Sequence, residues 1–340
     1  VRRKLPDTIK AHYLFNEHGG HRKERCEESG KNFLDFSVSL NPYPPPVNFL
    51  FNPVLFNDYP DNNYLRLKKR IAREHNCSPA EISVGNGSIE ILRAFCTYIF
   101  KENVSFFTFD PTFGEYETSS LLAGGKKTTD YKNADVIFLC NPNNPTGKLQ
   151  SKEKILDLLR FCNNKEIILF LDEAFIDLSD PDQSLITERN KNLFVLRSLT
   201  KSFSVPGLRI GYARSDPEII KFVDCFRSPW SVNRYAEEWA ICALGEIDNL
   251  KESRIKIESE RMWLTKILLE FGFDVTTTDT NFILFSYPVN ASHLISNLEK
   301  EGILVRDCRS FGLIDFIRIG IRTHDENIEL INAIEKCLLL

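Results

Sequence analysis

SLTKSFSVPGLRIG, residues Ser198 to Gly211, sets one lysine and, eight positions on, one arginine among small, hydroxylated and apolar residues. It follows NLFVLR (192–197), a short apolar run of strand character. A lysine placed where an apolar strand stops is one of two things. It is a solvated loop residue, or it is held in a largely dehydrated pocket, where its pKa falls and it can attack an aldehyde. The ends of the neighbouring strands bear on which.

From about residue 80 to 215, apolar runs alternate with helix-period segments. EISV (81–84), VSFFTF (104–109), DVIFLC (135–140), EIILFLDEA (166–174), NLFVLRSL (192–199) and IGYARS (210–215) read as strands. SIEILRAFCTYIF (88–100), EYETSSLLAGG (115–125) and SKEKILDLLRFCNN (151–164) read as helices. Near-continuous apolar strands separated by helices predict an α/β fold with a mostly parallel sheet covered on both faces. Farther on, a helical stretch from about Val232 to Phe271 breaks near Gly245. FDVTTT, NFILFSY, ILVRDC and FIRIGI then read as strands, and ASHLISNLEKEG and ENIELINAIEKCLLL as helices. The expected division is an N-terminal segment (1–45) lying against another surface near the site, a large domain (46–235) and a small α+β domain (236–340).

The bulk numbers exclude several classes. The 340 residues are 42% hydrophobic and 26% charged, with a net charge of -4, which argues against a nucleic-acid binder working through bulk electrostatics. No apolar stretch is long enough for a membrane span, and VRRKLPDTIKAHYLF lacks the apolar core of a signal peptide. The nine cysteines are scattered without a CxxC pair, which fits reduced core residues, a cytoplasmic setting and no metal site.

In open α/β sheets, ligands bind beyond the carboxyl ends of the strands. GNGS (85–88), DPTFGEY (110–116), NPNNPTG (141–147), DEAF (172–175) and SLTK (198–201) all fall there. Asp172 ends an apolar strand, where a carboxylate is costly unless a cation pairs with it. Pyridoxal phosphate needs a lysine, an acid for its ring nitrogen and an anion site. Lys201 and Asp172 supply the first two, and Gly87, Ser88, Ser198 and Arg209 the third, with GNGS opening a helix. Asn144 is a candidate donor to the ring's phenolate oxygen. Phe113 is a candidate stacking ring.

CNPNNPTG, DEAFIDL and SLTKSFSVPGLRIGYA resemble the fold-type-I pyridoxal-phosphate enzymes, in the histidinol-phosphate aminotransferase branch, over about residues 18–330. The resemblance implies a seven-stranded, mostly parallel sheet between helices and a small C-terminal α+β domain. It also implies that Lys201 carries the cofactor, Asp172 pairs with its ring nitrogen, Asn144 meets the phenolate and Phe113 stacks. Ser198, Arg209 and the Gly87–Ser88 amides then hold its phosphate. Tyr59, in NDYPD, resembles a tyrosine that reaches that phosphate from the neighbouring subunit of a homodimer.

Three departures point away from transamination. Phe175 stands where the family's aminotransferases usually have a tyrosine. NEHGGHRKE (16–24) resembles the amino-terminal HGG of the L-threonine-O-3-phosphate decarboxylases. LDFSVSLNPYPPP (34–46) and SPWSVNRYAEEWA (228–240) also resemble those enzymes. The arginines suit a substrate with two anionic ends. Arg318 is expected near the carboxylate, Arg306 with His18 near the phosphate, and Arg322, four residues after Arg318 in FIRIGIR, on the same strand face and open to either. Asn41 is a further expected substrate contact. The expectation is decarboxylation of L-threonine O-3-phosphate to (R)-1-amino-2-propanol O-2-phosphate for cobalamin biosynthesis. The alternative is histidinol-phosphate aminotransferase, or another class I/II aminotransferase.

Overall fold

A computed structural model describes residues 19–50, 52–100, 103–287 and 291–339. After a helix over Arg22–Ser29, the chain forms the short strand β1 (Leu34–Asp35). The large sheet then takes β2 (Ile82–Asn86), β3 (Ser105–Thr108), β4 (Lys126–Lys127), β5 (Val136–Cys140), β6 (Ile168–Asp172), β7 (Leu193–Ser198) and β8 (Ile210–Arg214). Its order is β2-β8-β7-β6-β5-β3-β4. All neighbours are parallel except β8, which runs antiparallel to β2 and β7.

The alternation of side chains along a strand explains the apolar runs. Phe170 and Phe194 point into one cluster with Phe95 and Phe138; ring centroids lie 4.8 Å apart for Phe95–Phe170 and 4.7 Å for Phe95–Phe194. Leu169, Leu171, Leu193 and Val195, their sequence neighbours, point into the other cluster. Both faces are therefore dry, and each such side chain contributes about 1.5–3 kcal/mol on burial. Strand β4 was not expected: its two exposed lysines carry no apolar pattern, and pairing with β3 alone makes it a strand.

The remaining strands are β9 (Asp274–Thr276), β10 (Phe282–Ser286), β11 (Ile303–Leu304), β12 (Arg306–Asp307) and β13 (Phe316–Gly320). Four of them make an antiparallel sheet, β12-β13-β10-β9. ILVRDC, expected as one strand, is divided between two sheets: β11 pairs in parallel with β1, and β12 joins β13. The helical stretch after Val232 breaks as expected, into helices Arg234–Ala243 and Leu250–Glu270. None of the described helices is long and apolar enough to cross a membrane.

The segment after β1 crosses between the two sheets. Gly320 N–H donates to Phe36 O at 2.7 Å, and Asn41 N–H donates to Lys201 O at 3.0 Å. A β-carbon at Gly320 would stand 2.1 Å from Val38 O, so only glycine lets β13 and the crossing segment approach this closely. The helix over Arg22–Ser29 was not expected, because RKERCEES has no apolar face to read.

Candidate active site

The carboxyl ends of the parallel strands meet at a cavity of about 1000 Å³. Strand register brings them there: Cys140 pairs with Asp172, and Asp172 with Leu196, two residues before Ser198. Lys201 follows on the short helix Leu199–Ser202 and its half-buried side chain opens into the cavity. Burial disfavours the ammonium, Arg318 and Arg209 repel it, and Asp172 offsets only part of this, so its pKa is pulled down to about 8.

Asp172 is buried, and burial raises its pKa. Its Oδ1 accepts from Ala174 N–H at 2.9 Å and its Oδ2 from the Tyr116 hydroxyl at 2.7 Å. Both bonds favour the carboxylate over the acid. Phe113 lines the cavity, edge-on to Tyr116 at 5.5 Å.

Gly87 precedes the helix Ser88–Ile99, whose N-terminus faces the cavity. Gly87 has φ +72, and a β-carbon there would lie 2.4 Å from Arg209 Nη2. At Gly211 a β-carbon would lie 2.6 Å from Ser88 N, so β8 packs directly under the helix start. Arg209, itself at φ 56, is exposed at the cavity edge and donates to Pro206 O at 3.2 Å. Ser198 Oγ lies 2.8 Å from Thr200 Oγ1, and both are buried. Amides, hydroxyls and a guanidinium thus converge on a concavity that glycine keeps open, which is the donor set an anion requires.

Arg318, on β13, is buried; its Nη1 donates to Asn144 Oδ1 and its Nη2 to Ser37 O at 3.1 Å. The guanidinium sits over the Phe282 ring at 5.2 Å, and its Nε has no hydrogen-bond partner among the described residues. Among the described residues no carboxylate forms an ion pair with it, and burial pulls its pKa down to about 10. Arg306, directly opposite Arg318 in the sheet, donates to Ser310 Oγ at 2.5 Å and lies over Phe311.

Arg322 does not share a strand with Arg318, because β13 ends at Gly320. It still lines the cavity, but Nη2 donates to Glu326 at 2.6 Å and Nη1 to Asp35 O at 3.2 Å, so it braces β1 against the C-terminal helix. Asn41 lines the cavity with both polar ends engaged: Nδ2 donates to Ser202 O at 2.8 Å, and Oδ1 accepts from Tyr43 N–H at 2.9 Å. It fastens the Lys201 turn. Phe175 is buried, edge-on to Phe282 at 5.2 Å.

His18 lies outside the described residues, but the glycines after it reach the cavity. Gly20 N–H donates to Ser37 Oγ at 3.0 Å, and a β-carbon on Gly19 would lie 2.5 Å from Ser37 O. Tyr59 is away from its own chain's cavity: it is 79% exposed, its ring 4.9 Å from that of Trp230. Sequence reasoning missed Tyr116, Thr200, Ser37 and Ser310. Thr200 alone had a signal, the alternation of hydroxyls in Ser198-Leu199-Thr200.

An amine of lowered pKa, a buried carboxylate and a glycine-opened anion cradle are the parts that pyridoxal 5'-phosphate needs, and here they share one cavity. Similarity to known proteins points the same way. A Caldanaerobacter subterraneus subsp. tengcongensis protein with the provisional name threonine-phosphate decarboxylase is 31% identical, over 92% of this chain and 94% of its own. A histidinol-phosphate aminotransferase of Thermoanaerobacter sp. (strain X514) is 34% identical, over 83% of this chain and 85% of its own. The aminotransferase name recurs among further relatives at 26–34% identity. The crystal structure of the histidinol-phosphate aminotransferase from Clostridium acetobutylicum superposes with a TM-score of 0.79 at 28% identity, covering 90% of this chain and 99% of that one. Residues 53–334 match aminotransferase class I and II, a family whose cofactor is pyridoxal 5'-phosphate and whose fold is type I. The chain belongs to the class I and II aminotransferase family.

Proposed function

We propose that the protein transfers an amino group between histidinol phosphate and a 2-oxo dicarboxylate, with pyridoxal 5'-phosphate as cofactor. Arg318, a buried guanidinium in the Lys201 cavity with no acid partner among the described residues, supports a carboxylate-bearing substrate in either reading, and the recurrence of the aminotransferase name among the relatives carries the choice between them. A buried cation left without an anion is costly. A carboxylate arriving with a substrate supplies that anion, and Arg306, fixed by Ser310 and Phe311, offers a second grip for a phosphate. The weight of relatives named for aminotransfer reverses the order read from the sequence, where decarboxylation of threonine phosphate came first. Decarboxylation stays as the second reading, favoured by Phe175, which has no hydroxyl to offer the phenolate, and by Gly19 and Gly20 packed on Ser37.

When bound, pyridoxal 5'-phosphate supplies an electron sink for charge that develops at the substrate α-carbon. Lys201 would hold the cofactor by its aldehyde carbon, and its amine, of lowered pKa, is the group placed to take the α-proton and give it back. Asp172 would accept from the ring nitrogen and keep it protonated. Asn144, its Oδ1 engaged by Arg318, lines the cavity and would offer its amide N–H₂ to the phenolate. Phe113 would stack on the ring, and Ser198, Arg209 and the Gly87–Ser88 amides would hold the phosphate. Tyr59, exposed beside Trp230, completes the site of a second copy in a homodimer.

Two tubes test the reaction. Histidinol phosphate with 2-oxoglutarate is expected to yield glutamate, and L-threonine O-3-phosphate no carbon dioxide. Carbon dioxide without glutamate overturns transamination in favour of the second reading. The lysine has its own pH signature. Only the neutral amine attacks an aldehyde, so covalent uptake of added cofactor by cofactor-free protein rises about tenfold per pH unit, then levels off above pH about 8. Stopped-flow absorbance reads this directly, and a plateau delayed to pH 10 would mean that Lys201 is not desolvated.

A further inference from the structure

We infer that Tyr116 is a positioning residue that holds Asp172 in place and in its charged form for the cofactor's ring nitrogen; the inference rests on the cofactor reading above. Tyr116 is fully buried, and its hydroxyl donates to Asp172 Oδ2 at 2.7 Å. Burial and the Asp172 charge together raise its pKa well above the usual tyrosine value, so the phenol keeps its proton and always acts as the donor. The same ring is stacked on Phe138 at 5.4 Å and meets Phe113 edge-on at 5.5 Å, so one side chain orients both the acid and the aromatic face of the site.

The other groups around Asp172 do not duplicate this bond. Cys140 gives its thiol proton to Pro142 O at 3.2 Å, and burial pushes its pKa up to about 12. Glu173, next in sequence, turns the other way to Arg197 at 2.8 Å. Lys201 lines the same cavity and acts on Asp172 through its charge. With Ala174 N–H on Oδ1 and Tyr116 on Oδ2, the carboxylate cannot rotate, and both oxygens keep a lone pair for an N–H donor from the cavity.

Tyr116→Phe removes the hydroxyl and keeps the ring. Two readouts are taken on the whole protein: the dissociation constant of pyridoxal 5'-phosphate, and the pH midpoint of the visible absorbance of the bound cofactor. The variant is expected to bind the cofactor roughly ten- to a hundredfold more weakly, the scale of one hydrogen bond to a charged group, and to shift the midpoint. In an Asp172→Asn background the same change is expected to add little, because the hydroxyl acts through Asp172. Site-specific 3-fluorotyrosine at position 116, a stronger donor with the same packing, is expected to move both readouts the opposite way, and it serves if Tyr116→Phe is recovered unfolded.

If Asp172→Asn alone leaves affinity and absorbance unchanged, the cofactor reading of the site falls. If Asp172→Asn weakens binding while neither change at Tyr116 moves either readout, the inference about Tyr116 is overturned and the cofactor reading stands.

Discussion

Replacing Lys201 with alanine is expected to lower turnover by at least about a thousandfold while leaving a folded protein. The amine is the only group on the short helix Leu199–Ser202 able to form an imine with an aldehyde, and its pKa is already lowered to about 8 by burial and by the Arg318 and Arg209 charges. Borohydride reduction followed by peptide mass mapping should place the cofactor on Lys201 in the parent protein and nowhere in the variant. A modified peptide elsewhere, or turnover within tenfold of the parent, rules out the lysine as carrier. The variant's stability has a definite sign. A base whose pKa is lower folded than unfolded destabilises the fold wherever it is protonated. The cofactor-free parent thus bears that cost below pH 8 and sheds it as the pH rises toward 10.5, the lysine's ordinary value. Alanine removes the cost along with some packing, so its stability relative to the parent should be greatest below pH 8 and should decline above it. Urea unfolding at pH 6.5 and pH 9.5 measures this.

Arg197→Met should have the largest effect on stability. Arg197 lies on β7 beneath the cavity, with Nη1 on Glu173 at 2.8 Å and Nη2 on Asp177. Glu173 also takes Ser184 Oγ at 2.5 Å and Leu185 N–H at 2.8 Å, and Asp177 takes Ser202 Oγ at 3.0 Å. All three ionic side chains are buried. Removing the cation strands two carboxylates in the interior, and breaking such a pair costs about 3–5 kcal/mol. The loss should be read from urea unfolding of the cofactor-free protein, where the fold alone is tested. Neutralising both acids in the same background, with Glu173→Gln and Asp177→Asn, should recover most of it, because the penalty comes from uncompensated charge. A single-variant loss under about 1 kcal/mol would mean that water or local rearrangement solvates the two acids. Ser202 follows Lys201 and Ser198 follows Arg197, so this network also sets the floor of the site.

The two predictions rest on residues of unequal legibility. Lys201, Asp172, Asn144 and the Gly87–Ser88 turn were readable because each lies a few residues beyond an apolar run, and the parallel register that assembles them follows from alternating strands and helices. Tyr116 was not. It sits inside a helix with no apolar face to mark it, and its bond to Asp172 joins residues 56 apart. Arg322 was read as a substrate contact from its spacing to Arg318, and Asn41 as a further contact. Their hydrogen bonds to Ser202, Asp35 and Glu326 depend on which segments the fold sets side by side. The division of ILVRDC between two sheets is the same kind of event, since a six-residue apolar run carries no record of which strand each half will meet.

By itself, then, the sequence determined the local matters: which of the segments with a clear apolar pattern are strands and helices, that the large sheet is mostly parallel, and which chemically distinctive residues stand at the strand ends. These depend on periodicity and on the cost of burying polar groups, and both can be read within a window of a few residues. Only the tertiary structure decided which buried groups pair. It gave Arg197 its two acids and Asp172 its phenol, and it left Arg318, among the described residues, without an acid. Pairing energies act across space between residues far apart in the chain, so local pattern cannot assign them.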